Sequence, residues 1–440
     1  MRMGAALAAV MLGLPAIGAA QGLSGPAPIP DQQNEPRDGV LRNLQFVWRD
    51  HPSLRAGRNF RLDFQAKFQG DGREPGDNPV AFDTWELHRA RVGIDGEIFR
   101  RIQFSIEREL TEHEQISILG VGKSAWKDYY VDVNFSRGFQ VRGGRFKIPF
   151  GLEQLTGISN LDFVYRSLSG STLAPARDRG VMLHGRFLKD GFNYWAGWFE
   201  HDGDNSRANK IVGGDDTYAA RLVVTPFRKI NLMRSIEVGG AFATTEVSDS
   251  SVLPNGLRGR TVMSQHTFFE QVFVSGRRNR IEGDLDWMKG PFTLRGEYTW
   301  VSDDRKKQGF GDDNLPQARY RAWYASGGWV ITGEKKNRPV EPREGGIPLG
   351  GPGAIELVAR VERTRFGSVV GVDQPFRNPR AETILPVTNR VETYGINWFI
   401  NRWVKLQGDL IREQIDDAER SPLLSTAPFW SQVVRLQIVL

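Results

Sequence analysis

The chain has no cysteine among its 440 residues. That excludes a disulfide framework and any thiolate metal site. Long hydrophobic runs are missing too. After residue 20 no stretch is apolar enough to cross a bilayer as a helix, which takes about 20 residues, and mean hydropathy is −0.41. The formal charge is +6 and the isoelectric point about 9.5, yet there is no dense Lys/Arg run. Arginines spaced singly along the chain suit a lined interior better than a nucleic-acid patch.

The signatures of common enzymes are also lacking. His113-Glu114 has no second histidine to complete a zinc protease motif, and no Gly-x-Ser-x-Gly elbow occurs. Gly120-Val-Gly-Lys-Ser124 matches part of a phosphate-binding loop, but the position that needs the first glycine holds Ser117. The six histidines show no metal-ligand spacing. His201-Asp-Gly-Asp-Asn205 is acidic enough to attract calcium, and a solvated loop is the plainer reading. No catalytic residue, metal site or cofactor is expected. An enzyme here would need a site assembled across strands, and nothing points to one.

What is present is a polar chain rich in aromatics (11%) and glycine (49 residues). Strands that alternate apolar and polar side chains produce such an average. Arg2, the apolar Ala5–Leu14 and the small residues Gly18-Ala19-Ala20 read as a signal peptide cut after Ala20. Residues 21–58, rich in Pro, Gly, Gln and Asp at their start, read as a periplasmic lead, and 59–440 as one barrel domain.

From Phe60 the period is two. Phe60, Leu62, Phe64, Ala66 and Phe68 alternate with Arg61, Asp63, Gln65 and Lys67. Ala90, Val92 and Ile94 alternate with Arg89, Arg91 and Gly93, and Asp95-Gly96 reads as a tight turn into Ile102–Glu107. Tyr129–Val133 follows. Strands are then expected at 139–147, 180–187, 192–200, 218–226, 235–246, 278–287, 292–301, 319–330, 354–364, 390–399, 404–413 and 429–440. That makes sixteen. Short turns, such as 134–138 and 288–291, alternate with long polar loops, such as 148–179 and 247–277; only 331–352 is long where a short turn is due. The fold class is therefore all-β: a transmembrane antiparallel β-barrel of about 16 strands, expected in the outer membrane of a Gram-negative bacterium with lipid around it. A soluble sandwich would not sort its loops by length.

Parity then assigns faces. With Phe60, Phe64 and Phe68 toward lipid, Arg61, Lys67, Arg89, Arg91, Arg295 and Arg321 face the lumen. A cation turned to lipid costs about 2–4 kcal/mol near the midplane, so parity is strongly enforced. Asp63, Glu107, Glu282, Asp284, Asp286 and Glu297 share the inward parity. Composition thus predicts a charged lumen and leaves selectivity open. The stretch Arg142–Gly185 carries further cations, Lys147, Arg166, Arg177 and Arg179, on the loop 148–179 or beside it. It is expected to fold inward and narrow the pore.

At Gly144-Arg-Phe-Lys-Ile-Pro-Phe-Gly-Leu-Glu153 the chain resembles the phosphate-selective porin O and P family. The likeness extends through Leu161–Leu168 and Ala176–Val181, and recurs at Leu87–Gly96, Gly328–Glu334, Ile355–Arg360 and Tyr394–Phe399. These blocks keep family order over nearly all of the mature chain. The resemblance implies a sixteen-stranded barrel, usually a homotrimer, whose third long loop folds inward. It also implies anion-selective uptake of phosphate or polyphosphate. Arg89, Arg91, Lys147 and Arg166 lie in matched blocks and are the best candidates to meet the anion, with Arg61, Arg177 and Arg179 behind them. A general diffusion porin is the alternative.

Overall fold

A computed structural model of the chain describes residues 44–48, 51–76, 84–111, 125–206, 216–250, 254–368 and 379–440. The expected signal peptide, His113-Glu114 and Gly120–Ser124 lie outside them. Among these described residues twenty strands occur in order: β1 (Leu44–Trp48), β2 (Pro52–Ala56), β3 (Phe60–Glu74), β4 (Thr84–Ile98), β5 (Ile102–Glu109), β6 (Trp126–Ser136), β7 (Phe139–Lys147), β8 (Arg177–Phe187), β9 (Phe192–Phe199), β10 (Thr217–Val224), β11 (Glu237–Val247), β12 (Gly259–Arg260), β13 (Thr267–Phe269), β14 (Gly276–Lys289), β15 (Phe292–Arg305), β16 (Leu315–Val330), β17 (Ala354–Ser368), β18 (Val387–Phe399), β19 (Val404–Ile415) and β20 (Phe429–Val439). Sixteen of them, β3–β11 and β14–β20, pair antiparallel with their neighbours, and β20 closes on β3 from Gln432↔Glu74 to Val439↔Lys67. The result is a closed sixteen-stranded barrel with no free edge. Every one of the sixteen expected strands is present.

The period of two explains the wall. Phe242 and Ile281, paired across β11 and β14, both face out and are exposed, while Ala241 and Glu282 beside them are buried inward. Aromatics gather near the short-turn rim, where Phe292 stacks on Trp329 (6.2 Å) and Phe187 on Tyr194 (5.8 Å). Such girdles suit a membrane interface, where one end of a ring is apolar and the other is wet.

Five departures from the sequence reading have physical causes. Asp95-Gly96 is not a turn. β4 runs to Ile98 and reverses at Phe99 and Arg100, both at positive φ (54° and 59°). Gly96 is small because the Phe104 ring lies over it; a Cβ there would come within 2.1 Å of the ring. Second, the stretch 21–58 includes the β1–β2 hairpin, whose β2 pairs with the start of β3 where β20 has already ended. Third, the connection from β10 to β11, residues 225–236, is also longer than a two-residue turn. Fourth, the loop from β11 to β14 is not merely polar. It carries the β12–β13 hairpin and seats Phe268 and Phe269 against Tyr320 and Phe366 inside the barrel mouth; the Phe269 and Phe366 rings are 4.9 Å apart. Fifth, the long connection from β16 to β17 turns into the barrel instead of hanging below it. Its Lys336 reaches Asp162 (2.6 Å) and Glu356, its Arg338 forks onto Asp286 (2.7 and 3.0 Å), and Val340 is fully buried.

Candidate functional site: the lumenal constriction

The site is built by the connection between β7 and β8. It contains a one-turn helix, α1 (Leu152–Leu155), and its apolar residues Ile148, Phe150, Phe163, Val164, Leu168 and Leu173 are all buried. A loop buried this deeply must satisfy its backbone polar groups inside the protein. The far wall provides the partners. Glu153 N–H donates to Glu297 (3.1 Å), Val164 N–H to Asp409 (2.8 Å) and Leu168 N–H to Glu362 (2.8 Å). The loop carbonyls are met by wall cations and amides. Arg435 donates to Val164 O (2.7 Å), Lys405 to Leu161 O (3.0 Å) and Asn397 to Asp162 O (2.8 Å). Arg360 donates to Glu153 Oε1 (3.0 Å) and to Tyr165 O (3.2 Å).

The loop therefore leaves β7 and fastens to β15–β20, which lie across the barrel in the strand order. The wall residues that hold it are buried. On the opposite wall, Gln65, Lys67, Asp95, Ser105, Asp128 and Tyr130 keep partial exposure. The interior that a solute can reach lies between this wall and the loop.

The candidate cations fall into three groups. In the first, carboxylates neutralise the charge. Arg91 bridges Glu107 (3.1 Å) and Glu109 (2.7 Å), Arg177 forks onto Asp128 (3.0 and 2.8 Å), and Arg61 pairs with Asp63 (2.9 Å) near the short-turn end. Arg295 points inward as expected and reaches Thr156 Oγ1 (3.0 Å) and Asp286 (3.5 Å). The inward parity of Asp63, Glu107, Asp286 and Glu297 holds throughout.

The second group corrects the sequence reading. Arg179 shares the face of the exposed Val181, is itself 53% exposed and pairs with Glu200 (2.5 Å), so it lies outside the lumen. Arg321 shares the face of the exposed Trp323, while Tyr320 and Ala322 take the inward positions. The sequence reading puts Arg179 in the inward loop, but β8 already begins at Arg177 and its register turns Arg179 outward; for Arg321, parity is carried to a strand without a register to fix it.

The third group is Arg89, Lys147 and Arg166. Lys147 Nζ sits in a cradle of three carbonyls, Gln154 O (2.8 Å), Leu155 O (3.1 Å) and Thr156 O (3.0 Å). Arg166 donates to Thr156 O (2.9 Å) and to Glu153 O. The two cations thus meet the last carbonyls of α1, which have no partner in a helix of one turn. Arg89 donates to Gln69 Oε1 (2.9 Å). All three remain partly exposed, and among the described residues none forms an ion pair. Their partners are neutral oxygens, so no carboxylate is paired with any of the three at the level of the loop. Burial above all, opposed by the field of Glu153 and aided by those of Arg177, Arg91 and Arg295, lowers the pKa of Arg166 to about 10, which leaves it charged at neutral pH.

The stretch once read as a solvated acidic loop has another use. Asp202 is held by Arg278 (2.6 Å) and Arg280 (2.8 Å), and Asp204 by Arg145. Asp71, Glu86 and His88 also come together, but Arg73 bonds Glu86 and Arg435 forks onto Asp71 (2.6 and 2.7 Å), so arginines already occupy the carboxylates.

The model of the family described as phosphate-selective porin O and P matches residues 55–428. Solved outer-membrane proteins share the fold at low identity. OmpT of Vibrio cholerae in its trimer form is 12% identical, with TM-score 0.55 over 87% of this chain and 100% of that one. An anion-selective porin from Comamonas acidovorans is 11% identical, with TM-score 0.51 over the same shares. No curated protein sequence matches the chain.

Proposed function

We propose that this chain, which belongs to the phosphate-selective porin O and P family, is an outer-membrane porin that passes anions, with phosphate-like oxyanions the preferred class. The family and the fold support an outer-membrane porin and point to a channel rather than an enzyme. Selectivity is our reading, and one observation carries it: Arg89, Lys147 and Arg166 stand beside the inward loop on neutral oxygens, with no carboxylate paired to them among the described residues. In a confined, partly dehydrated passage such charges favour anions and oppose cations. Guanidinium forks match the oxygens of a tetrahedral oxyanion in two-point contacts. Lys147 and Arg166 share the Thr156 carbonyl, so a single anion could touch both without either moving far. We also read the processed N-terminus and a homotrimeric assembly into this function.

A general diffusion porin is the second reading. It is favoured by the pairing of most lumenal arginines with carboxylates, which sets up a transverse field and little net charge. Reversal potential in a potassium chloride gradient separates the two. Anion selectivity, with chloride conductance reduced by added phosphate, is the expected result. Cation selectivity would overturn the proposal, and anion selectivity without a phosphate effect would remove the phosphate preference.

A further inference from the structure

The outside of the barrel is apolar along most of its strands, with one exception. On β16, β17 and β18 the outward positions toward the long loops are Arg321, Arg363, Arg365 and Arg390, all exposed. Register places Arg321 directly across from Arg365, and Arg363 directly across from Arg390. Thr364, between two of them, is buried inward, so the parity is fixed. Just below, the same face becomes Trp323, Val361, Tyr394 and Leu410, each more than a third exposed, with Glu392 among them held by Arg412. The arginines therefore mark the upper border of the lipid-facing band.

Like charges directly opposite on antiparallel strands repel, with Cβ atoms about 4.5–5.5 Å apart. Elsewhere on this rim several outward cations have an acid beside them. Arg179 pairs with Glu200, Arg412 with Glu392 (3.1 Å), and Arg277 stands across from Glu246. Among the described residues the four arginines of β16–β18 have no hydrogen-bond or ion-pair partner. They lie outside the lumen, so solute passage makes no use of them. Two like-charged pairs side by side, at the edge of the apolar band and facing lipid, call for anions from the membrane itself.

We propose that this face binds a lipid of the leaflet on the long-loop side through two or more headgroup phosphates. Each Arg–Arg pair receives one phosphate by guanidinium forks, and the acyl chains run down over Trp323, Val361 and Tyr394. A second copy of the chain would need carboxylates placed to meet all four arginines at once.

The test uses the purified full chain in mixed micelles, titrated with bisphosphorylated lipid A and with the same lipid stripped of phosphate, bound lipid being read by native mass spectrometry. Wild-type protein should bind the bisphosphorylated form, and removing the phosphates or making R321Q/R363Q/R365Q/R390Q should each weaken binding by about tenfold or more. Channel conductance of the variant should be unchanged, which shows that the barrel is intact; R363Q/R365Q is the milder variant should the quadruple one fail to fold. Equal binding by wild type and variant, or binding indifferent to lipid phosphate, would overturn the proposal. So would displacement of the lipid by equimolar inorganic phosphate, which assigns the arginines to the free ion. Loss of the oligomer with lipid binding retained would also overturn it, and assigns the face to contact between copies.

Discussion

Replacing Arg89 with glutamine removes one of the three cations that no carboxylate pairs with and disturbs little else. Among the described residues its hydrogen bond goes to Gln69 Oε1 (2.9 Å), a neutral group that another glutamine can meet. The size of the effect follows from Coulomb's law. A monoanion held about 6 Å away interacts with a unit charge by about 0.7 kcal/mol in bulk water and about 2.8 kcal/mol at an effective dielectric near 20. Those limits correspond to about 3-fold and about 100-fold in affinity. A dianion would feel twice the energy. The assay is single-channel chloride conductance against added phosphate, read as the half-blocking concentration. Arg89→Gln should raise that concentration within these limits, and more steeply at low ionic strength, where screening is weakest. The double variant Arg61→Gln/Asp63→Asn is the control, because it removes a neutralised pair (2.9 Å) near the short-turn end and leaves net charge unchanged. An unchanged block in Arg89→Gln, or an equal loss in the control, would refute the assignment of the anion site to the loop level.

Further predictions concern the loop and its supports. Lys147→Glu or Arg166→Glu should shift the reversal potential toward cations, and no shift in either variant would remove these residues from the constriction. Lys336→Met leaves Asp162 and Glu356 buried without their cation, at a cost of about 3–5 kcal/mol; a lower midpoint for the heat-induced shift of the folded band in gels should report it. Burial raises the pKa of Asp162, but Lys336, Arg338 and Arg295 win and lower it. The stability this confers is therefore present above the ordinary carboxylate value of about 3.9 and is lost as pH falls below it, and Asp162→Asn should flatten that acid limb. Gly144 has φ 130°, and a Cβ there would lie 2.3 Å from Tyr129 O, so Gly144→Ala should destabilise the barrel by about 1–3 kcal/mol in the same gel assay.

The strands were legible because one physical rule governs all of them: lipid outside and water inside force a period of two. Strand β7 appears with the bounds read from sequence, Phe139–Lys147. What the rule leaves undetermined is where a chain that is no longer between lipid and water goes. The turn residues Phe99 and Arg100 carry no glycine signal, so the reversal was misplaced onto Asp95-Gly96, whose glycine answers to the Phe104 ring instead. Phe268 and Phe269 sit in a loop with no strand period, and only the buried rings of Tyr320 and Phe366 explain them. The β16–β17 connection could be seen as too long, but its inward course depends on Lys336 finding Asp162, a residue 174 positions away.

The site was legible in residue type more than in role. Periodicity tells which face an arginine occupies; it cannot tell what stands opposite, and that decides whether the charge reaches a solute. Arg91, Arg177 and Arg295 share an inward position with Arg89, yet Glu107, Asp128 and Asp286 absorb their charge while Arg89 meets only an amide oxygen. Farther round the barrel, Arg360 and Arg435 are consumed in seating the loop. A row of lumenal arginines is therefore not a row of equal binding steps. The wall pairs some of its cations with carboxylates and uses others to hold the constriction in place, and the loop itself, through the carbonyls that end α1, positions Lys147 and Arg166 on neutral oxygens. Neutral oxygens can orient a cation by hydrogen bonding while leaving its full charge to the passage, which a carboxylate cannot do. On the proposed reading these three residues weigh most in the field at the constriction, and changing any one of them should alter selectivity more than changing any ion-paired arginine of the wall.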